Sequence, residues 1–135
     1  MVDEVVSGRA HYGVGSSDLL LDRQRGQPVV VLATPFQHSP LVLLARADID
    51  NVHDLVGRRL MLEYHSEELI AYLQHEGVAL GLLHRQPHTL SADALIRGEV
   101  DAMSAYNTDE TYTLQQSGVP YQTFTPRSAG IDFYG

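Results

Sequence analysis

The sequence predicts an α/β fold with a mostly parallel sheet, and three observations predict it. Apolar runs rich in valine and leucine fail to alternate with polar residues, as strands buried on both faces do. Patterns with helical spacing lie between those runs, so strand and helix alternate along the chain. Glycines stand where those helices should end, in the left-handed position that closes a helix.

Each element can be justified in order. DEVVSG (3–8) reads as the tail of a helix closed by Gly8. AHYGVG (10–15) is a short strand whose glycines admit a close neighbour. Ser16 or Ser17 then caps a helix over SDLLLDRQRG, ended by Gly26. QPVVVLATPF (27–36) and LVLLARA (41–47) are the doubly buried strands. NVHDLVG (51–57) is a short helix with Asn51 as N-cap, Asp54 three residues on and Gly57 at its end. RRLMLE is a strand, and SEELIAYLQHEG (66–77) a helix with Glu67 and Glu68 complementing its dipole and Leu69, Ile70 and Leu73 at helical spacing. RQPHTL is a strand, SADALIRGE a helix capped by Ser91, and VDAMSAY a strand. NTDETYTLQQSG carries Asn107 and Glu110 at capping-box spacing. VPYQTFTP and GIDFYG supply the last strands.

Composition narrows the function. The 135 residues are 44% hydrophobic and 19% charged, proportions of a globular chain. The net charge is −8, and the nine basic residues, all arginine, are scattered, which argues against a nucleic-acid surface. The apolar runs are too short to span a bilayer, and MVDEVVSG lacks the basic and apolar regions of a signal peptide. Without cysteine the chain can form no disulfide, thiolate nucleophile or cysteine metal site. Without lysine it can form no Schiff base and no lysine-anchored phosphate loop.

A pseudo-repeat points to a site. With Gly8 placed over Gly98, IRGEVDAMSAYNTD lies beneath VSGRAHYGVGSSDL without a gap. Each copy is a helix end, a short strand of small residues, polar residues and a new helix. Ligands of open parallel sheets sit beyond the carboxyl ends of strands, where helix N-termini point unpaired N–H groups. Ser16 and Ser17 fall at one such end, Tyr106 and Asn107 at another, and LEYHSEE and PFQHSPL supply two more. Taken singly, Ser17, Ser66 and Asn107 are better read as helix caps.

The run SGRAHYGVGSSDLLLDRQRGQPVVVLATPFQHSPLVLLARAD resembles the periplasmic-binding-protein type II family related to thiamine-pyrimidine synthesis, and DLVGRRLMLE, VDAMSAYNTDE and AGIDFYG look like its later landmarks in the right order. That family includes ABC-transporter receptors for nitrate, sulfonates, taurine and thiamine-pyrimidine precursors, and extracytoplasmic sensor domains. The resemblance implies two α/β lobes that close on a ligand, with partial lobe one at 1–37, lobe two at 38–127 and a return crossing at 128–135. The family normally begins further upstream and continues past this point, so the chain is expected to be a fragment: one nearly complete parallel-sheet lobe plus part of a second. Exposed edges of 10–15 and 28–33 would then favour a homodimer or segment exchange.

The resemblance implies a non-catalytic binding module, periplasmic or extracytoplasmic, serving a membrane transporter or a signalling module, with no cofactor. Carried over residue by residue, the contacts are Ser16, Ser17, Gln37, His38, Ser39, Tyr64, His65, Ser66, Tyr106 and Asn107. Hydroxyls, imidazoles and tyrosines suit an aminopyrimidine or a small oxyanion or sulfonate. The alternatives are a relative of the fungal enzymes that make the thiamine pyrimidine, whose lysine aldimine and cysteine motif have no counterpart here, and a sensor or interaction domain with a degenerate pocket. The histidines form no metal motif: Pro87 keeps His84 and His88 off one helical face, and these two, His75 and His53 read as surface residues. GVGSSD also lacks the G-x-S-x-G of a nucleophile elbow.

Overall fold

A computed structural model describes residues 1–64 and 66–132. The chain divides into two units, residues 1–39 with Asp132, and residues 40–131.

The larger unit is built on a five-stranded sheet. Its strands are β1 (Leu41–Arg46), β2 (Arg59–Met61), β3 (His84–Gln86), β4 (Ala102–Tyr106) and β5 (Tyr121–Phe124), in the spatial order β3-β2-β4-β1-β5. β2 runs parallel to β3 and β4, while β1 runs antiparallel to both β4 and β5. Four strands therefore point one way and β1 alone is reversed. The expected strand LVLLARA is β1, and it is buried on both faces as its composition requires. Leu41, Leu43 and Ala45 pack against Leu55, Leu60, Leu69 and Leu73 on one side. Val42 and Leu44 pack against Met61, Leu95, Met103 and Leu114 on the other. Period-two alternation along a strand thus feeds two separate apolar layers.

The helices of this unit are α3 (Glu67–His75), α4 (Asp93–Ile96) and α5 (Glu110–Ser117), with a short 3-10 turn at Val52–Leu55. That turn carries the expected capping box: Asn51 Oδ1 accepts the His53 N–H at 2.9 Å, and Asp54 accepts the Asn51 N–H at 3.1 Å. α3 buries Leu69, Tyr72 and Leu73 and is closed by Gly77 at φ 78°. Ser91 accepts the Asp93 N–H at 3.1 Å, but the N-cap residue of α4 is Ala92, so the expected cap is displaced by one position. RQPHTL yields only two strand residues, Arg85 and Gln86, because Pro87 has no N–H to extend the ladder. The capping box expected at Asn107 and Glu110 does not form. Asn107 gives its N–H to Pro40 O at 2.9 Å and its carbonyl to the Thr111 hydroxyl at 2.7 Å, while the Glu110 carboxylate takes the Tyr106 N–H at 2.8 Å. α5 consequently starts at Glu110 and ends on left-handed Gly118.

At the starting ends of β2 and β4 a charged clamp holds the parallel pair. Asp101 accepts Arg59 N at 2.9 Å, Nε at 3.0 Å and Nη2 at 3.0 Å, and Arg59 Nη2 also donates to Gly98 O at 2.8 Å. The guanidinium holds the Asp101 carboxyl below its ordinary range, against the opposing effect of burial.

The smaller unit holds α1 (Val2–Val6) and α2 (Leu19–Gln24), closed by Gly8 and Gly26 as expected. Two expectations are corrected here. AHYGVG and QPVVVLATPF form no strands among the described residues, since no neighbouring backbone pairs with them and Val30, Val31 and Leu32 lie exposed. Neither serine caps α2: Asp18 is its N-cap residue, and the Ser16 hydroxyl donates to the Asp18 carboxylate at 2.6 Å. α2 buries none of its residues, and Leu20 is 65% exposed. The glycines of AHYGVG do admit a close neighbour: side chains at Gly13 and Gly15 would collide with Met1. Of GIDFYG, Ile131 and Asp132 carry no ladder, and 133–135 lie outside the described residues.

Candidate functional site

Three parallel strands of the larger unit end together, and β1 begins at the same end, with Leu41 opposite Tyr106. The loops there carry the candidate residues Tyr64, Ser66, Tyr106 and Asn107. Tyr64 is 91% and Tyr106 41% exposed. The Asn107 amide is exposed as well. Ser66 differs. It is buried, and its hydroxyl donates to Glu63 O at 2.7 Å, so it shapes the turn after β2. His65 lies outside the described residues.

One residue beneath this end organises two loops. Ser104, on β4, is fully buried, and its hydroxyl accepts the Glu63 N–H at 2.8 Å. Its carbonyl bonds His88 Nε2 at 3.1 Å, while His88 Nδ1 accepts the Leu90 N–H at 3.0 Å. Because Nδ1 must accept, Nε2 carries the proton. His88 is therefore a half-buried bracing residue, which corrects its reading as a surface histidine. Thr89 adds contacts from N and Oγ1 to the Met61 sulfur at 3.4 and 3.6 Å. The loops after β2 and β3 are thus both pinned to β4, and the second also to β2.

Three carboxylates bear on the Tyr106 phenol. Burial raises the Tyr106 phenol above its ordinary value, and the carboxylates of Glu63, Glu110 and Glu68 raise it further. Arg46, Arg58, Arg59 and Arg97 engage acids elsewhere in the unit: Asp48, Asp101, Asp93 and Glu99.

The remaining candidates sit in the smaller unit. Ser16 and Ser17 precede α2, where the carbonyl of each accepts an N–H of the first turn. Gln37 donates to Thr34 O at 2.8 Å, and His38 Nδ1 meets the Asp132 carboxylate at 2.9 Å. Ser39 is half-buried. Sequence reasoning missed Ser104 and the bracing role of His88. Only their long-range partners give them meaning, and no local pattern announces such partners. Among the described residues no group of three histidine, aspartate or glutamate side chains is placed to hold a metal.

The family model described as NMT1/THI5 like matches residues 1–135. The chain belongs to this family. No curated protein matches it in sequence. Solved structures match it in fold. SsuA, a periplasmic sulfonate-binding protein of a sulfonate ABC transporter from Methylobacillus flagellatus, matches with a TM-score of 0.71 at 20% identity over 100% of this chain and 43% of its own. The alkanesulfonate-binding SsuA from Xanthomonas axonopodis, bound to MOPS, matches with a TM-score of 0.65 at 18% identity over 98% of this chain and 50% of its own. ArtJ from Geobacillus stearothermophilus, an arginine-, lysine-, histidine-binding protein, gives 0.61 at 17% identity over 99% and 58%. These likenesses establish the fold, that of periplasmic binding proteins. The chain spans about half the length of those three proteins.

Proposed function

We propose that this member of the NMT1/THI5-like family is the ligand-binding part of a non-catalytic extracytoplasmic receptor, and that its ligand is an aminopyrimidine of the thiamine-precursor type. The observation that carries the ligand class is the setting of Tyr106. An anion placed against this phenol meets the field of Glu63, Glu110 and Glu68, whereas a flat, uncharged or protonated ring with N–H donors is favoured there. Tyr64 and Tyr106 supply aromatic faces at the strand ends, where ligands of such sheets sit. The Asn107 amide adds a donor and an acceptor. Sulfonate recognition, which the names of two matched structures carry, suits this end of the sheet less well.

The reaction class of the biosynthetic alternative lacks its groups in this chain, which has neither lysine for an aldimine nor cysteine for a metal motif. In a receptor the product of binding is a signal to a membrane transporter, with no covalent step. The exposed run Val30–Leu32 supports the further reading that a second copy of the chain covers it in solution. Size-exclusion chromatography checks this directly, and a monomer at high concentration sinks it.

Thermal-shift titration tests the ligand class. 4-Amino-5-hydroxymethyl-2-methylpyrimidine is compared with hexanesulfonate, taurine, nitrate and arginine. A saturating rise in melting temperature with the pyrimidine alone is the expected result. A rise with hexanesulfonate or taurine and none with the pyrimidine overturns the ligand class.

A further inference from the structure

Among the described residues, eight have backbone φ in the left-handed region, and seven of them are glycine: Gly8, Gly26, Gly57, Gly77, Gly98, Gly118 and Gly130. The eighth is Leu90, at φ 55°. A leucine there carries a steric penalty that glycine avoids. Packing does not repay it, because Leu90 is 71% exposed. Its conformation is nevertheless held from below, by the bond from its N–H to His88 Nδ1 and by the anchoring of His88 on Ser104 O. The loop that presents it lies at the carboxyl ends of β2, β3 and β4, the end that also exposes Tyr64 and Tyr106. Exposed, strained and braced residues of this kind mark functional surfaces.

We infer that Leu90 is a ligand contact, an apolar wall that selects ligands bearing a methyl or alkyl group, and that His88 is the positioning residue that holds it there. This rests on the proposed binding function but not on the aminopyrimidine class. Leu90→Gly removes the side chain and the strain together, and Leu90→Asn keeps a residue tolerant of left-handed backbone while making it polar. Both variants are expected to weaken binding of the methylpyrimidine about tenfold by calorimetry, the loss of roughly half a buried leucine. The melting temperature of Leu90→Gly should match or exceed that of the natural chain.

For His88, glutamine preserves a donor to Ser104 O and loses the acceptor for Leu90, whereas asparagine preserves the acceptor. His88→Gln should therefore weaken binding as Leu90→Gly does, and His88→Asn should stay closer to the natural chain. Nitrogen chemical shifts should report the proton on Nε2. Unchanged affinity in both Leu90 variants overturns the inference, as does a fall in melting temperature that tracks the loss of binding. If hexanesulfonate binds in place of the pyrimidine and Leu90→Gly weakens it tenfold, the aminopyrimidine class falls and the Leu90 contact stands. Binding of neither probe to the natural chain overturns both.

Discussion

Replacing Ser104 with alanine removes one oxygen from the centre of the larger unit, and the structure states what that oxygen does. It is fully buried and accepts the Glu63 N–H at 2.8 Å, at the turn that exposes Tyr64. Truncation leaves that N–H without its partner, at a cost of about 1–3 kcal/mol for an unsatisfied buried donor. The bond from His88 goes to the Ser104 carbonyl, so it survives the change. A net loss near 2 kcal/mol shifts the urea midpoint by about 1 M for a slope of about 2 kcal/mol per molar. Amide hydrogen exchange should show the change locally, with lost protection at Glu63 and retained protection at Leu90. A loss below about 0.5 kcal/mol, with Glu63 still protected, would refute the reasoning that this one hydroxyl holds the turn.

Three other outcomes follow from the same geometry. Asp101 titrates below its ordinary range when folded, so its contribution is present above the unfolded aspartate value near 4 and lost as pH falls through the folded one; Asp101→Asn should flatten the acid limb of a stability–pH curve, and an unchanged limb would show that the clamp to Arg59 is not the source. Leu44→Ala, at a fully buried position packed against the layer of Met103 and Leu114, should cost about 2–5 kcal/mol in denaturant unfolding, and a loss under 1 kcal/mol would mean that the layer collapses to fill the gap. Ser16→Ala should change thermal stability by less than about 0.5 kcal/mol, because Ser16 is exposed and its hydroxyl bonds Asp18 and caps nothing; a full cap's worth of loss would restore the capping role.

What was legible in the sequence depended on whether the signal was local. LVLLA announced a strand buried on both faces, and β1 is one, but its reversed direction was invisible because its partners lie beyond residue 100. PVVVLA carries the same composition and forms no ladder, since a strand needs a neighbour as well as a propensity. Two asparagine–acid pairs at identical spacing fared differently. Asn51 and Asp54 made the capping box, while Asn107 and Glu110 were claimed by Pro40, Thr111 and the Tyr106 N–H. The strand-end positions of Tyr64 and Tyr106 were readable from the α/β alternation. The buried bracing by Ser104 and His88 was not, because it joins residues 16 and 41 positions apart.

The reversed strand, second from one edge of the sheet, also has a bearing on how the chain is made. β1 leaves the ribosome before every strand it pairs with, and its ladders require residues 102–106 and 121–124. Until synthesis passes Phe124, the apolar stretch Leu41–Ala45 has half its partners or none. Closing loops of this size is slow, and exposed apolar strands are the segments that aggregate while they wait. The larger unit is therefore a late folder whose most apolar strand depends on its last, and a chain halted before residue 121 should be a client of chaperones.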